Sequence, residues 1–401
     1  MKRILFVDDE RRILEGLQRM LRPRRKDWVM TFANSGSEAL AILAESVYDV
    51  IVSDMRMPDM DGAQLLELVR QQYPGMIRIV LSGQFEMESA MRAVPVAHQF
   101  VVKPCDHEKL QEVIERSSGG DSQEPDEATR RMVAAIGELP ALPGTYAALV
   151  RALDDPEVAL DQVGAIVERD VGVAAKVLQL VNSSFFGMSR EITTVPNAVA
   201  QLGFEVLKQL VITVELFHTF ADKCHVAGFS VEEVQRHSRC VAAITALLPL
   251  SKKDAAAASV AALLHDVGKL ILAARSPEQF ERVLRASRKE HRPLYVLEKE
   301  LTGTSHAEIG AYLLGLWGLP LSVVAAVSEH HRPIHVETAS TLPIGVAIHL
   351  ANNLEHEAAG KPGSPSLVAH DSIDTDFKSW SQFLPAWRKM AEEVVQKEGR
   401  I

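Results

Sequence analysis

The first part of the chain alternates short apolar runs with stretches of helical spacing. Four of the apolar runs, ILFV, VIVS, IRIVL and QFVV, have the length and composition of β-strands. Helical spacing occupies five stretches: Arg11–Leu21, Ser37–Ala44, Gly62–Gln72, Glu86–Val94 and His107–Arg116. Five strands that alternate with five helices imply parallel crossovers. The pattern therefore predicts an α/β, doubly wound, five-stranded parallel sheet over residues 1–117.

Helical spacing without strand patterns dominates the rest of the chain. Val173, Val177, Leu180 and Val181, for example, recur at the period of a helix. Before this region, the small polar and acidic stretch SSGGDSQEPDEATRR reads as a flexible linker. We therefore expect four parts: the sheet domain at 1–117, a linker at 118–131, an all-helical domain at 132–360, and a C-terminal loop and amphipathic helix at 361–401.

Composition narrows the classes of partner. The 401 residues carry a net charge of -10 and contain no basic block interleaved with aromatic residues, which disfavours direct nucleic-acid binding. The three cysteines lie far apart and lack metal-ligand spacing, as expected of reduced thiols in a cytosol. We expect no segment to approach an apolar span of about 20 residues, and the N-terminus runs straight into a strand. The sequence thus predicts a soluble, cytoplasmic protein without a membrane partner.

Polar residues follow the strands where each strand ends. Asp8 and Asp9 close ILFV, Asp54 closes VIVS, and IRIVL and QFVV end at Ser82 and Lys103. The carboxyl ends of parallel strands meet at one edge of the sheet, where open α/β sheets bind ligands. Three neighbouring carboxylates repel one another unless a cation compensates, and Mg²⁺ prefers such oxygen ligands. The pattern makes Asp54 a candidate phosphoryl acceptor, with the Ser82 hydroxyl and the Lys103 ammonium available for phosphate oxygens.

The motifs VDDE, SDMRMPDMDG, SG and KP, in this order, resemble the flavodoxin-like receiver domain of two-component response regulators. The resemblance implies that Asp54 accepts a phosphoryl group from a sensor histidine kinase. It also implies that Asp9, Asp54 and the backbone carbonyl of Arg56 hold Mg²⁺, while Asp8 orients the ion through water. This magnesium site is an expectation from the family pattern.

The same resemblance implies a switch. Ser82 would follow the phosphoryl group, Lys103 would neutralise it, and Phe100 matches an aromatic position that swings inward on activation. A phosphoryl group adds about 1.5 to 2 negative charges at neutral pH, enough to drive such a movement. We expect the face formed by Glu86–Val94 to repack, and this face is a candidate surface for a homodimer or for the second domain.

Histidine and aspartate residues in the helical region form a second candidate site. His265 and Asp266 lie in the apolar stretch AALLHDVGKL, with Lys269 one turn further on. Other histidines flank them at His237, His306 and the pair His330–His331. A lone histidine on an apolar face is usually a core residue, but several at coherent spacing favour a ligand set. Imidazole and carboxylate together suit Fe, Mn, Zn or Ni.

The spacing resembles the HD superfamily of metal-dependent phosphohydrolases, and in particular its HDOD branch. The stretches that carry the resemblance are LPALPGTYAALVRALDDP, IVERDVGVAAKVLQLVNSSFFG, TTVPNAVAQLGFEVLKQLVI, LLHDVGKLIL, HAEIGAYLLGLWGLP and AVSEHHRP. The resemblance implies a vestigial HD site whose ligand positions are His237, His265, Asp266, His306 and His330, with Lys269 near a phosphate. It also implies that the domain acts as a signalling or protein-interaction module.

Two departures from the HD pattern bear on catalysis. Asn352 stands where the last acidic ligand is expected, and RPIHVE replaces the GYP motif of enzymes that cleave cyclic-di-GMP. An amide in place of a carboxylate removes a negative charge from the ligand shell, which weakens the affinity for a divalent cation. Two functions therefore stay open. One is a non-enzymatic response regulator that acts on an unidentified protein partner. The other is a receiver-regulated, metal-dependent phosphodiesterase acting on cyclic-di-GMP or another nucleotide.

Overall fold

The computed structural model describes most of the chain in twelve segments. They are residues 1–83, 93, 96–103, 107–116, 126–134, 148–149, 151–153, 158–182, 192–214, 226–332, 341–359 and 380–398. The chain divides into two compact units, the first formed mainly by Met1–Glu138 and the second by most of the remainder. The expected helix Glu86–Val94, apart from Ala93, lies outside the described residues.

A five-stranded parallel sheet forms the centre of the first unit. Its strands are β1 (Lys2–Val7), β2 (Trp28–Ala33), β3 (Val50–Asp54), β4 (Ile77–Gly83) and β5 (Gln99–Lys103), in the order β2-β1-β3-β4-β5. β3 is buried along its whole length, as its continuous apolar sequence requires of a strand covered on both faces. This sheet confirms the predicted doubly wound α/β fold.

Five described helices accompany the sheet. They are α1 (Arg11–Met20), α2 (Gly36–Glu45), α3 (Gly62–Gln72), α4 (His107–Arg116) and α5 (Glu127–Ala134). Local sequence explains where two of them begin. Ser35 caps α2 by accepting a hydrogen bond from the backbone of Glu38, and Asp61 forms a capping box with Gln64 at the start of α3.

The helix α5 overlaps the segment that we interpreted as a linker. It belongs to the first compact unit, and the guanidinium of Arg78, fully buried on β4, donates a hydrogen bond to the carbonyl of Ala134 at 3.0 Å. Arg78 also donates to the carbonyls of Val96 and Met76. The bond to Ala134 connects the end of α5 to the amino end of β4.

The described residues of the second unit form helices joined by loops and contain no strand, which confirms the predicted all-α class. Its helices are α6 (Leu160–Glu168), α7 (Val171–Asn182, whose last residues cluster with the first unit), α8 (Val195–Val214), α9 (Val231–Ala246), α10 (Ala255–Leu264), α11 (Val267–Arg275), α12 (Pro277–Glu290), α13 (Leu294–Thr302), α14 (His306–Leu316), α15 (Leu321–Glu329), α16 (Ile344–Ala358) and α17 (Leu384–Glu398). The helix α10 packs against α9, α15 and α16, and α17 packs against α9 and α16. The helix α10 is therefore central, because it packs against one helix that precedes it in the sequence and two that follow it.

The expectation that no apolar span of about 20 residues exists is wrong for one stretch. Ala255–Arg275 contains 21 residues with a window of mean hydropathy 1.5, and 78% of that window is buried inside the unit. The stretch comprises α10 and α11, which are separated at His265 and Asp266. This degree of burial indicates that α10 and α11 are core helices of the helical unit.

Candidate functional site

Two buried carboxylates and one lysine meet at the carboxyl edge of the sheet. Asp8 is 1% exposed and Asp54 is 7% exposed. The ammonium of Lys103 donates to Oδ2 of Asp8 at 2.6 Å and also pairs with Oδ1 of Asp54. Parallel pairing aligns β1 with β3 and β4 with β5, so the ends of these strands come together. The predicted cluster of Asp8, Asp54 and Lys103 is thus present as a contact network.

Burial and charge act in opposite directions on these groups. Burial raises the pKa of Asp54, and its contacts with Lys103 offset this effect only in part. Burial alone lowers the pKa of Lys103, but its bonds to Asp54 and Asp8 outweigh burial and raise the pKa overall. One ammonium therefore faces two carboxylates, which leaves a net negative charge suited to a further cation.

The loop after Asp54 is held close to the strand end. Oδ2 of Asp54 accepts a hydrogen bond from the backbone N–H of Arg56 at 2.9 Å, and Gly62 donates its N–H to the carbonyl of Met55 at 2.9 Å. A Cβ at Gly62 would lie 2.2 Å from the carbonyl oxygen of Asp54. Only glycine permits this approach, so Gly62 fixes the backbone around Asp54.

Three other predicted residues lie at or near the same edge. Asp9 is exposed beside the buried Asp8. Ser82 is fully buried and pairs in register with Val102. Phe100 on β5 is 1% exposed, so its ring is packed inside the unit. Asp9 is therefore open to solvent, whereas the Ser82 side chain is enclosed within the unit.

In the second unit, four imidazoles converge on the carboxylate of Asp266. Nε2 of His237 and Nε2 of His265 lie 3.6 and 3.5 Å from its Oδ2. Nε2 of His306 and Nε2 of His330 lie 3.4 and 3.9 Å from its Oδ1. All five predicted ligand residues are buried. Asp266 therefore stands between two pairs of histidines, one pair on each carboxylate oxygen.

The Nδ1 atom of each of these imidazoles is bound on its far side. Nδ1 of His265 contacts the carbonyl of Ala262, and Nδ1 of His330 contacts the carbonyl of Val327, both at 2.7 Å. Nδ1 of His237 and Nδ1 of His306 each contact a glutamate carboxylate. A hydrogen bond from Nδ1–H fixes the tautomer and leaves the Nε2 lone pair free to bind a metal. The rings are thus oriented with their ligand atoms towards Asp266.

Two buried glutamates that the sequence did not indicate complete this outer layer. Glu298 accepts hydrogen bonds from Nδ1 of His306 at 2.6 Å and from its backbone N–H at 2.8 Å. Glu355 contacts Nδ1 of His237 at 2.8 Å. Neither glutamate belongs to a local motif, because its partner lies on another helix. Only the spacing of Glu355, one turn after Asn352, was a signal in the sequence.

The centre contains buried polar atoms that lack a hydrogen-bond partner within the described residues. They are Nε2 of His237, Nε2 of His265, Nε2 of His330 and Oδ1 of Asp266. Leaving a buried donor or acceptor unsatisfied costs about 1 to 3 kcal/mol per group, so a cluster of four requires an explanation. Nitrogen and oxygen lone pairs directed at one place fit a transition-metal ion.

The protonation states of the residues in this site are also those that bind a metal ion. Burial lowers the pKa of His265 to about 4 and holds the pKa of His330 well below its usual value. The pKa of Asp266 stays well below its usual value because Lys269 and the surrounding histidines outweigh its burial. Neutral imidazoles and an ionised carboxylate are the forms that bind metals. Lys269 donates to Oδ2 of Asp266 at 2.6 Å.

His331 is a further candidate ligand that our ligand set omitted. The ligand atoms of His306, His330 and His331 lie within 4.8 Å of one another, as do those of His237, His265 and Asp266. Nε2 of His331 contacts Nε2 of His306 at 2.8 Å. The described residues therefore provide two such groups of ligand atoms, one of which contains Asp266.

A close backbone contact positions His306. A Cβ at Gly268, in the first turn of α11, would lie 2.0 Å from the carbonyl oxygen of His306. The absence of a side chain at Gly268 lets the start of α14 approach α11 directly. Asp266 and His306 are brought together by this contact.

Comparison with known families gives two matches. Residues 4–115 match the response regulator receiver domain, and residues 139–333 match the HDOD domain. An uncharacterized protein of Treponema pallidum is 27% identical over 205 residues, which are 50% of this chain and 39% of that protein. The DNA-binding transcriptional regulator NtrC of Salmonella typhimurium is 33% identical over 148 residues, 36% of this chain and 31% of NtrC. The chain thus spans less than half of either relative.

Two solved structures are also similar. The signal receiver domain of an HD domain-containing protein from Pseudomonas fluorescens Pf-5 has 32% identity and a TM-score of 0.28, covering 29% of this chain and 85% of that one. The MmoQ response regulator from Methylococcus capsulatus has 19% identity and a TM-score of 0.49, covering 64% of this chain and 98% of that one.

Proposed function

The chain joins an N-terminal response-regulator receiver domain to a C-terminal HDOD domain, and from this we propose that it is a cytoplasmic, phosphorylation-controlled response regulator. In this proposal a sensor histidine kinase phosphorylates Asp54, and the HDOD domain is the output module that contacts a protein partner. The observation that carries the proposal is the network of Asp54, Asp8 and Lys103 at the carboxyl edge of the receiver sheet.

Each residue of the network has a role in phosphoryl transfer. A carboxylate oxygen of Asp54 attacks the phosphorus of the kinase phosphohistidine, and the new O–P bond forms as the P–N bond breaks. Lys103, already paired with Asp54, then pairs with a phosphoryl oxygen. Asp9, Asp54 and the Arg56 carbonyl would hold Mg²⁺, with Asp8 acting through water, and the bound ion would supply positive charge for the transferred group. The two buried acids with a single lysine support such a cation.

Phosphorylation with acetyl phosphate tests the proposal. We expect wild-type protein with Mg²⁺ to gain the mass of one phosphoryl group, measured on the intact chain, and Asp54→Asn to gain none. Asp59→Asn is the matched control, because Asp59 lies in the same loop, is exposed, and has a positive φ of 65° that asparagine also tolerates. An adduct that persists in Asp54→Asn would contradict the assignment.

Signal transmission to the HDOD domain is the second part of the proposal. The buried Ser82 hydroxyl and the packed Phe100 ring lie on adjacent strands, and a phosphoryl group on Asp54 would draw Ser82 towards it. Hydrogen exchange should then change in the receiver and in the HDOD helices together. A change confined to the receiver would argue against control of the output domain. The candidate homodimer face Glu86–Val94 falls within this test.

The donor atoms around Asp266 also support a second candidate function, that of a metal-dependent phosphodiesterase. The converging and unsatisfied donors around Asp266 could hold Fe, Mn or Zn. Hydrolysis requires the metal to activate water and polarise a phosphoryl oxygen, and Asn352 contributes no negative charge to either role. We therefore propose metal binding with no turnover of cyclic-di-GMP at a biological rate.

An assay of cyclic-di-GMP loss with Mn²⁺ or Fe²⁺ separates the two functions. We expect no turnover by wild type. Turnover that disappears in His265→Ala would establish the phosphodiesterase instead. Activity that appears only in Asn352→Asp would identify the missing carboxylate as the cause of inactivity.

A further inference from the structure

Two polar residues of α16, Asn352 and Glu355, lie one helical turn apart. Glu355 contacts His237, which belongs to the histidine cluster around Asp266, here called the HDOD centre. Asn352 is 5% exposed and its Oδ1 has no hydrogen-bond partner within the described residues. Glu355 is 1% exposed. Residues three apart lie on the same face of a helix. The face of α16 that presents an amide at position 352 therefore still carries a carboxylate.

The contacts of Glu355 join it to His237. Its Oε2 accepts the hydrogen bond from Nδ1 of His237 at 2.8 Å, while its Oε1 lies 3.2 Å from the guanidinium of Arg236. The ring of His356 stacks on the ring of His237 with centroids 4.8 Å apart and an angle of 19°. Glu355 and His356 thus fix both the tautomer and the plane of this imidazole.

This arrangement acts on the centre through His237. With Nδ1–H given to Glu355, Nε2 of His237 presents its lone pair towards Oδ2 of Asp266, 3.6 Å away. A carboxylate behind a ligating imidazole also makes the imidazole a stronger donor. Glu298 is placed in the same way behind His306, at 2.6 Å. One carboxylate-backed histidine therefore lies on each side of Asp266.

We propose that Glu355 is the positioning residue that keeps this centre able to hold a metal ion although position 352 supplies no acid. The proposal rests on the metal centre described under Proposed function. In this arrangement the carboxylate of α16 lies behind the ligand His237 and would not touch the ion. The imidazoles and Asp266 would hold the ion, and position 352 would supply no second anionic ligand for hydrolysis. The HDOD centre is then a metal-holding element of the output module.

Two variants at one position separate the hydrogen bond from the charge. Glu355→Gln keeps an acceptor for Nδ1–H but loses the charge, whereas Glu355→Leu loses both. Glu357→Leu is the matched control, because Glu357 lies on the same helix, is exposed and pairs with Arg388. We would measure the Kd for Co²⁺ of the full chain by chelator competition, and read the His237 tautomer in the metal-free protein by ¹⁵N NMR of the imidazoles.

We expect Co²⁺ affinity to fall by about 10- to 100-fold in Glu355→Leu and less in Glu355→Gln, with Glu357→Leu unchanged. The Nδ1–H tautomer of His237 should persist in wild type and Glu355→Gln and be lost in Glu355→Leu. A metal-free Glu355→Leu protein that keeps both the tautomer and wild-type Co²⁺ affinity would overturn the role of Glu355. Absence of Co²⁺ binding by wild type would instead overturn the metal centre itself.

Discussion

Adding one methyl group at Gly268 tests how the HDOD centre is positioned. A Cβ at this residue would lie 2.0 Å from the carbonyl oxygen of His306 and 2.8 Å from its Cα. Ordinary contact between such atoms occurs near 3.5 Å, so the first turn of α14 must retreat by roughly 1 to 1.5 Å. The obstructing atoms belong to backbone, which cannot swing aside as a flexible side chain can. Gly268→Ala therefore moves His306 relative to Asp266.

The magnitude of the effect follows from that displacement. Overpacking of a close contact costs about 1 to 3 kcal/mol. In a unit of this size, each kcal/mol lowers the melting temperature by about 2 to 4 °C, so we expect a decrease of roughly 2 to 12 °C. A ligand site tolerates displacements of only about 0.5 Å. Nε2 of His306, now 3.4 Å from Oδ1 of Asp266, would leave that range, and Co²⁺ affinity should fall as well.

Differential scanning calorimetry of the full chain measures the stability change, and chelator competition measures the Co²⁺ affinity. Gly16→Ala is the control, because a Cβ at Gly16 on α1 would meet nothing within 4 Å. Alanine in place of glycine inside a helix stabilises by about 0.5 to 1 kcal/mol, so this variant should melt no lower than wild type. If Gly268→Ala retained the wild-type melting temperature and Co²⁺ affinity, the proposed close contact would be refuted.

Three further predictions concern other contacts. The metal-free HDOD unit should lose stability as pH falls from 6.5 towards 4, because the pKa of His265 drops from 6.5 to about 4 on folding and the unfolded chain binds the proton first. This histidine contributes about 3 kcal/mol above pH 6.5, measurable by urea denaturation at each pH. Gly62→Ala should slow phosphorylation by acetyl phosphate, followed by intact mass, because its Cβ would lie 2.2 Å from the Asp54 carbonyl oxygen. Arg78→Met should speed hydrogen exchange in α5, because it removes the bond to the Ala134 carbonyl; unchanged exchange would contradict that role.

Strand order made the receiver site predictable. Alternation of strand and helix implies parallel strands, and parallel strands bring their carboxyl ends together, so Asp8, Asp54 and Lys103 had to meet. The pattern did not show that Lys103 pairs with both acids at once. That detail depends on side-chain burial, which follows from the packing of the whole edge.

In the HDOD centre, the sequence predicted the candidate ligand residues but not the glutamates that lie behind them. His265 and Asp266 are adjacent in sequence, and the remaining ligands follow at a spacing that resembles a known family. Glu355 binds a histidine 118 residues away, and no local pattern links two helices across such a distance. The apolar stretch Ala255–Arg275 was missed because the polar residues His265 and Asp266 interrupt it, although both are buried in the core.

The packing of α16 and α17 bears on how the HDOD domain is expressed as a fragment. The family match ends at residue 333, yet α16 covers α10, and α17 covers α16 and α9. A fragment cut at 333 would expose the apolar face of α10 to solvent, and such surfaces cause aggregation. It would also lose Asn352 and Glu355. A fragment intended for solution studies must therefore continue to Glu398, the last residue of α17.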